Sequence, residues 1–104
     1  MAFHEEPTQY NKTALSDLQG AWGNLRKAVV DAVPFPEWRR LLLHIDEAMS
    51  WESVRNLESM RKTLLLIQNI VNQSDCPDKV REGVEMVRDD LDEVLQAIAE
   101  GERI

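Results

Sequence analysis

The sequence contains one cysteine, four glycines and four prolines in 104 residues. The single cysteine, Cys76, cannot form a disulfide within the chain, which fits a reducing compartment. No apolar run exceeds four residues, whereas a membrane-spanning helix needs about 20. The first residues have neither the positive nor the apolar region of a signal peptide. We therefore expect a soluble cytoplasmic protein without membrane association, in the host cytosol if a virus or mobile element encodes it.

Positive charge is also scarce, because 12 Lys and Arg stand against 19 Asp and Glu, a formal charge of −7. A net-negative surface disfavours direct binding to nucleic acid. The excess is uneven: residues 75–104 have a net charge of −6, and residues 1–74 a net charge of −1. The sequence thus predicts one acidic segment attached to a nearly neutral remainder.

Apolar residues recur at three- and four-residue steps along most of the chain, the period of an amphipathic α-helix, and no stretch alternates as strands do. Prolines and a change of apolar face divide this pattern. The sequence predicts an all-α fold, a small bundle that forms one domain over residues 13–104 behind a flexible N-terminal arm of residues 1–12. The four predicted helices span about residues 13–33, 37–49, 51–73 and 76–100.

Helix boundaries are predicted from capping residues. Thr13 and Asp75 are of the types preferred at the N-cap, and Gly101 suits the position after a helix ends. Ser50 lies where the apolar stripe changes face, which places a helix break there. One long kinked helix over residues 37–73 is the alternative.

Two glycines, Gly20 and Gly23, lie inside the first predicted helix, where each costs about 1 kcal/mol relative to alanine. Such a cost is typical of a position where a neighbouring backbone comes close. A soft, kinked segment is the second explanation.

Some segments have more apolar surface than a one-sided helix needs, namely residues 41–43, 64–67 and 70–71. They indicate either a central helix covered by its own chain or a surface for a dimer or another partner. Trp22 and Trp38 continue apolar stripes and are predicted in the core. Trp51 lies at the change of face, where it would either anchor a partner, as tryptophan often does, or pack locally over the turn.

The last predicted helix has five acids on one side, at three- and four-residue steps. Like charges at these spacings slightly destabilise a helix. They form either an ordinary solvated face or a docking surface that steers a basic partner, imitation of a nucleic-acid backbone being the extreme form of the latter. These acids are Glu82, Glu85, Asp89, Asp92 and Glu93.

Catalytic candidates are few, since the chain has two histidines. Arg39 and His44 are separated by four residues, a spacing that resembles the arginine–histidine motif of HEPN-type ribonucleases. The resemblance covers residues 39–44. Arg40 fits only loosely the polar residue that usually follows the family's arginine, and the motif lies in the second helix, whereas in the family it usually opens a late one. It implies an all-α dimeric ribonuclease that cleaves RNA without metal, Arg39 and His44 meeting across the dimer.

Metal and cofactor sites are not expected. His44 and Glu47 are one turn apart, but a di-metal site in a bundle needs further acids that project inward from other helices. His4 with its two neighbouring glutamates would bind metal only weakly. The acids beside Cys76 would raise its thiol pKa and disfavour a nucleophilic role.

The sequence therefore predicts a non-enzymatic protein-interaction module, a small acidic helical protein that binds and modulates or inhibits a larger protein by steric occlusion, and that forms a homodimer. The alternatives are the HEPN-like ribonuclease and a structural homo-oligomer subunit. The predicted partner-binding residues are Trp51, Leu65, Leu66, Ile70, Glu82, Glu85, Asp89, Asp92 and Glu93.

Overall fold

The computed structural model describes residues 5–54 and 56–100, and the side chains discussed below lie within residues 14–52, 54 and 56–100. Across these residues the structure has four α-helices and no strand. The predicted all-α four-helix bundle is therefore confirmed. The helices are α1 (Glu5–Ala32), α2 (Trp38–Ser53), α3 (Leu57–Gln73) and α4 (Asp78–Ala99).

The helices form two closely packed pairs, α1 with α4 and α2 with α3, and the pairs meet along smaller α1–α2 and α3–α4 contacts. Two contacts show that α1 and α2 run antiparallel. Arg26 Nε donates to Asp46 Oδ1 at 2.8 Å, and Gln19 Nε2 donates to Glu52 Oε1 at 3.1 Å. The body is elongated, measuring 51 × 21 × 20 Å.

The core runs along the inner stripes of all four helices. Trp22, 1% exposed, lies at its centre, and its indole Nε1 donates to the sulfur of Met60 at 3.2 Å. The core position predicted for Trp22 is confirmed, while Trp38 is half-buried and packs against the edge of the core. The largest buried side chains besides Trp22 are Leu18, Leu25, Leu41, Ile45, Met60, Ile67 and Leu91.

Helix α1 begins at Glu5, earlier than expected. It includes residues 5–12, which the sequence predicts to be part of the flexible N-terminal arm. Residues 1–4 of that arm lie outside the described residues. The N-cap expected at Thr13 is therefore wrong. The physical signal lies in Glu5, Glu6 and Pro7, because acids suit the positive end of a helix and proline is tolerated in its first turn.

The predicted break between the second and third helices is confirmed, and the alternative of one long kinked helix is wrong. The break lies at residues 54–56 rather than at Ser50. The Asn56 side chain caps α3 by accepting a hydrogen bond from the Ser59 backbone N–H at 3.1 Å. Ser50 lies within α2, where its hydroxyl donates to the Glu47 carbonyl at 2.7 Å.

Helix α4 follows Pro77, which occupies the N-cap position in place of the expected Asp75. Proline suits the start of a helix because its fixed φ fits the helix and its missing N–H needs no partner there. The C-terminal stop predicted at Gly101 lies outside the described residues.

The apolar stripe of α4 is buried except at its C-terminal end. Ile98 is 46% exposed, whereas the preceding stripe residues are 4% exposed or less, namely Val80, Val84, Val87, Leu91 and Val94. The Gln19–Glu52 contact places the end of α2 near the middle of α1. Ala97 is still buried at 5%, whereas Ile98 reaches solvent.

Gly20 and Gly23 are not points of close approach, because a Cβ atom on either would meet nothing within 4 Å. The expectation of a neighbouring backbone at these glycines is wrong. The close approach occurs at Gly83 of α4, where a Cβ would lie 3.0 Å from Leu25 Cδ1 and 3.3 Å from Leu25 Cα. Gly83 therefore allows α1 and α4 to pack closely.

No helix among the described residues is both long enough and apolar enough to cross a membrane.

Candidate protein-binding site

The acidic face is the outward side of α4 and consists of the five predicted acids. All five side chains are exposed, opposite the buried valine stripe. Among the described residues only Asp89 of the five has an ion pair, with Arg88 at 3.1 Å. The face therefore keeps most of its negative charge available to a partner. Its members are Glu82, Glu85, Asp89, Asp92 and Glu93.

Negative charge continues from this face towards α1. Asp90 is half-buried on the flank of α4 that faces α1. Burial raises the pKa of its carboxyl group, and the negative charges of Asp17, Glu93 and Asp89 raise it further. Asp17 belongs to α1, so these carboxylates from two helices repel one another.

The predicted apolar residues on α3 separate into exposed and buried ones. Leu65 and Leu66 are 52% and 48% exposed, whereas Ile70 is only 5% exposed. Ile70 follows Ile67 and Thr63 along the buried side of the helix. It belongs to the core, so the part of the prediction that placed it on the partner-binding surface is wrong.

Trp51 is half-buried against the core, one turn before the α2–α3 connection. Its carbonyl oxygen accepts from the backbone N–H of Val54 at 3.3 Å and of Asn56 at 2.9 Å. The Trp51 carbonyl group therefore holds both Val54 and Asn56 of the α2–α3 connection. This arrangement favours the local packing role, with only part of the indole left for a partner.

A groove of about 320 Å³ lies between α3 and α4. Glu85 of the acidic face forms part of its α4 side, and Asn69 part of its α3 side. Leu65 and Leu66 precede Asn69 by four and three residues and therefore lie beside it on the helix surface. The groove thus borders the acidic face at Glu85 and lies next to the helix turn that carries the exposed leucines. Its polar lining residues are Gln68, Asn69, Asn72, Arg81, Glu85 and Arg88.

The two residues of the ribonuclease resemblance lie on α2 but on different sides. The Arg39 guanidinium lies over the Trp38 ring, 5.1 Å from its centroid. The His44 side chain has its Nδ1 3.3 Å from Glu47 Oε1. Residues five apart on a helix are about 140° apart around its axis, so one chain does not bring Arg39 and His44 together.

Among the described residues no group of histidine, cysteine and acidic side chains could hold a metal ion. The side chains of His4 and its neighbours lie outside the described residues. Cys76 is buried at 6% exposure, and burial raises the pKa of its thiol. A raised pKa keeps the thiol protonated and weakly nucleophilic.

One notable side chain was not predicted from the sequence. Glu52 is 7% exposed, although it is an acid. It continues the buried stripe of Leu41, Ile45 and Ala48 at four-, three- and four-residue steps. The spacing alone signals it, because an acid at a stripe position is expected to be buried. A small cavity of about 120 Å³ lies beside it, between α1 and α2.

No family model matches the chain, and comparison with curated proteins and with solved structures finds no significant similarity.

Proposed function

We propose that this chain is a non-enzymatic protein-interaction module of the cytoplasm, which binds a larger protein with a basic surface and modulates or inhibits it by steric occlusion. The observation that carries this proposal is the α3–α4 groove, with exposed leucines on one side and the acidic face on the other.

The leucines supply affinity in this proposal. Leu65 and Leu66 expose apolar surface that would be removed from water on binding, at about 25 cal/mol per Å². The polar groups of the groove between them and α4 offer hydrogen bonds that fix the orientation of the bound segment. A partner helix or extended segment bound here would be occluded from its own target.

In this proposal the exposed acids of α4 guide the partner to the site during association. Exposed charges on the rim of an interface mainly raise the association rate and select the sign of the partner's charge. Since all five side chains are exposed, this contribution would weaken as salt screens them.

The decisive experiment compares two sets of charge reversals in the tagged full-length chain. The test variant reverses Glu85, Asp89 and Asp92 to lysine. The control variant reverses Asp31, Glu58 and Asp75, three exposed acids on other parts of the molecule. Proteins recovered from the native cell are quantified by mass spectrometry.

We expect the test variant to lose its principal partner by about tenfold or more, while the control retains it. Equal recovery with both variants would reject the acidic face as a docking surface. A Leu65→Gln, Leu66→Gln double variant then tests the groove side separately, with loss of the same partner expected.

Homodimer formation is part of the proposal, since Leu43 of α2 is 66% exposed and leaves apolar surface outside the groove that a second copy would cover. Light scattering over a range of protein concentrations measures it directly. A particle of about twice 12.0 kDa is expected, and a mass of one chain at every concentration contradicts it.

A further inference from the structure

Glu52 is a buried acid that has no cation as a partner among the described residues. Its one hydrogen bond to another described side chain comes from the Gln19 amide, Nε2 to Oε1 at 3.1 Å. No described Lys, Arg or His forms an ion pair with it. A buried carboxylate without a cation is costly, because its lost hydration is not replaced.

The position of Glu52 in its helix adds to this cost. It lies in the last turn of α2, which contains no basic residue. The C-terminal end of a helix carries partial negative charge, so it favours cations and disfavours carboxylates. Burial and the helix end therefore both favour a positive group beside Glu52.

The space for such a group is present. The cavity of about 120 Å³ between α1 and α2 is lined by Gln19, Trp22, Met49 and Glu52, and it opens to the surface. It has room for a few water molecules or for the end of an alkyl chain with a small head group.

The lining matches one kind of head group. The Glu52 carboxylate offers negative charge, and the Gln19 amide oxygen offers a second acceptor, since its nitrogen donates to Glu52. Trp22 and Met49 present an aromatic ring and a thioether, which are favourable surfaces for alkyl groups and, in the case of the ring, for cations. A single carboxylate with these neighbours does not resemble a metal site, which needs several oxygen ligands.

We propose that the cavity between α1 and α2 binds a primary alkylammonium group, with Glu52 as its anionic partner. The group is that of a lysine side chain or of a free amine, which share this chemistry. The inference does not depend on the acidic face or on the α3–α4 groove, which lie on other helices.

The test uses the Trp22 indole N–H resonance as a reporter, because this group lies beside the cavity and donates to Met60. The full-length protein, isotopically labelled, is titrated at constant ionic strength with n-butylammonium chloride and, separately, with neutral n-butanol. Nα-acetyl-lysine N-methylamide forms a third titration and represents a lysine side chain.

The variants are Glu52→Gln, which removes the charge, and Glu47→Gln, a matched change on the exposed side of the same helix. We expect saturable shifts with n-butylammonium in the wild type and in Glu47→Gln, and at least tenfold weaker binding in Glu52→Gln. If Glu52→Gln does not fold, the difference in affinity between n-butylammonium and n-butanol in the wild type tests the same point.

A saturable shift with the lysine derivative assigns the site to a protein side chain, whereas a shift with n-butylammonium alone assigns it to a free amine, and either supports the proposal. Equal affinity for n-butanol, equal binding by Glu52→Gln and wild type, or absence of a saturable shift in the wild type would each overturn it.

Discussion

Helix α1 has a closed side, which packs against other helices, and an open side, which faces no neighbour among the described residues. Glycine has a different role at each side. On the closed side Trp22 and Leu25 are buried, and Leu25 packs directly onto Gly83 of α4. On the open side Gly20 and Gly23 face space in which a Cβ would meet nothing. The comparison shows that a glycine within a helix indicates close packing only when another helix faces it.

The largest effect is expected on the closed side. Trp22→Ala should lower the free energy of unfolding by about 3–5 kcal/mol, because it leaves a cavity at the centre of the core. Urea denaturation followed by circular dichroism measures the loss. Trp38→Ala, at a half-buried tryptophan, is the control and should cost clearly less. Equal losses would mean that the closed side is not the centre of stability.

Gly83→Ala sharpens the comparison on the α4 side of the same contact. The new Cβ would lie 3.0 Å from Leu25 Cδ1 and 3.3 Å from its Cα, so the helices must move apart. Overpacking of this kind costs about 1–3 kcal/mol, and the gain in helix propensity offsets about 0.5–1 kcal/mol of it. We therefore expect a net loss of up to about 2 kcal/mol in the same urea titration. A variant as stable as the wild type would show that the α1–α4 contact adjusts freely.

The same substitution on the open side should have the opposite sign. Gly20→Ala meets no neighbour within 4 Å and gains helix propensity, so it should raise the free energy of unfolding by about 0.5–1 kcal/mol. Gly23→Ala should do the same. Destabilisation by either change would contradict the assignment of this side as open.

The smallest effect on stability is expected for Asp90, the half-buried acid on the flank of α4 that faces α1. Asp90→Asn should stabilise the fold at pH 7 by about 0.2–1 kcal/mol, the size expected for exposed charge pairs. The gain arises because burial opposes ionisation of Asp90, and the negative charges of Asp17 on α1 and of Glu93 and Asp89 on α4 oppose it further.

The pH dependence of this gain has a definite sign. The folded state raises the Asp90 pKa above the ordinary value of 3.8, so it holds the proton more tightly than the unfolded chain does. Stability therefore falls as the pH rises through the folded-state pKa. The advantage of Asp90→Asn should be complete above that pKa and disappear below 3.8. An advantage that does not change with pH would contradict electrostatic repulsion as its cause.

The fold was predictable because its signals are local and periodic. The apolar stripe of α4 identified its buried side from Val80 to Val94, and the change of face after Met49 separated α2 from α3. The cap positions could not be predicted from the sequence, because Ser50 and Asn56 are both good N-cap types and packing decides between them. Ile98 fits the stripe equally well in the sequence, but it is 46% exposed in the structure.

The candidate site was predictable in its charges and only partly in its apolar residues. All five acids lie on one exposed face, as their spacing indicates. Leu65, Leu66 and Ile70 were indistinguishable in the sequence because each is apolar, and only the orientation of α3 separates the two exposed residues from the buried one. The groove and the Glu52 cavity arise between helices, so they depend on the pairing of the helices rather than on any one segment.

The unequal burial of side chains along α4 predicts a gradient of local stability. Around Val80 to Val87 an opening of the helix uncovers stripe residues that are 4% exposed or less, whereas in its last turn Ile98 is already 46% exposed. Backbone amides in the last turns of α4 are therefore expected to exchange with solvent through local opening, at a lower free energy than amides near Val84. The C-terminal end of α4 would then open and close while the rest of the helix stays folded.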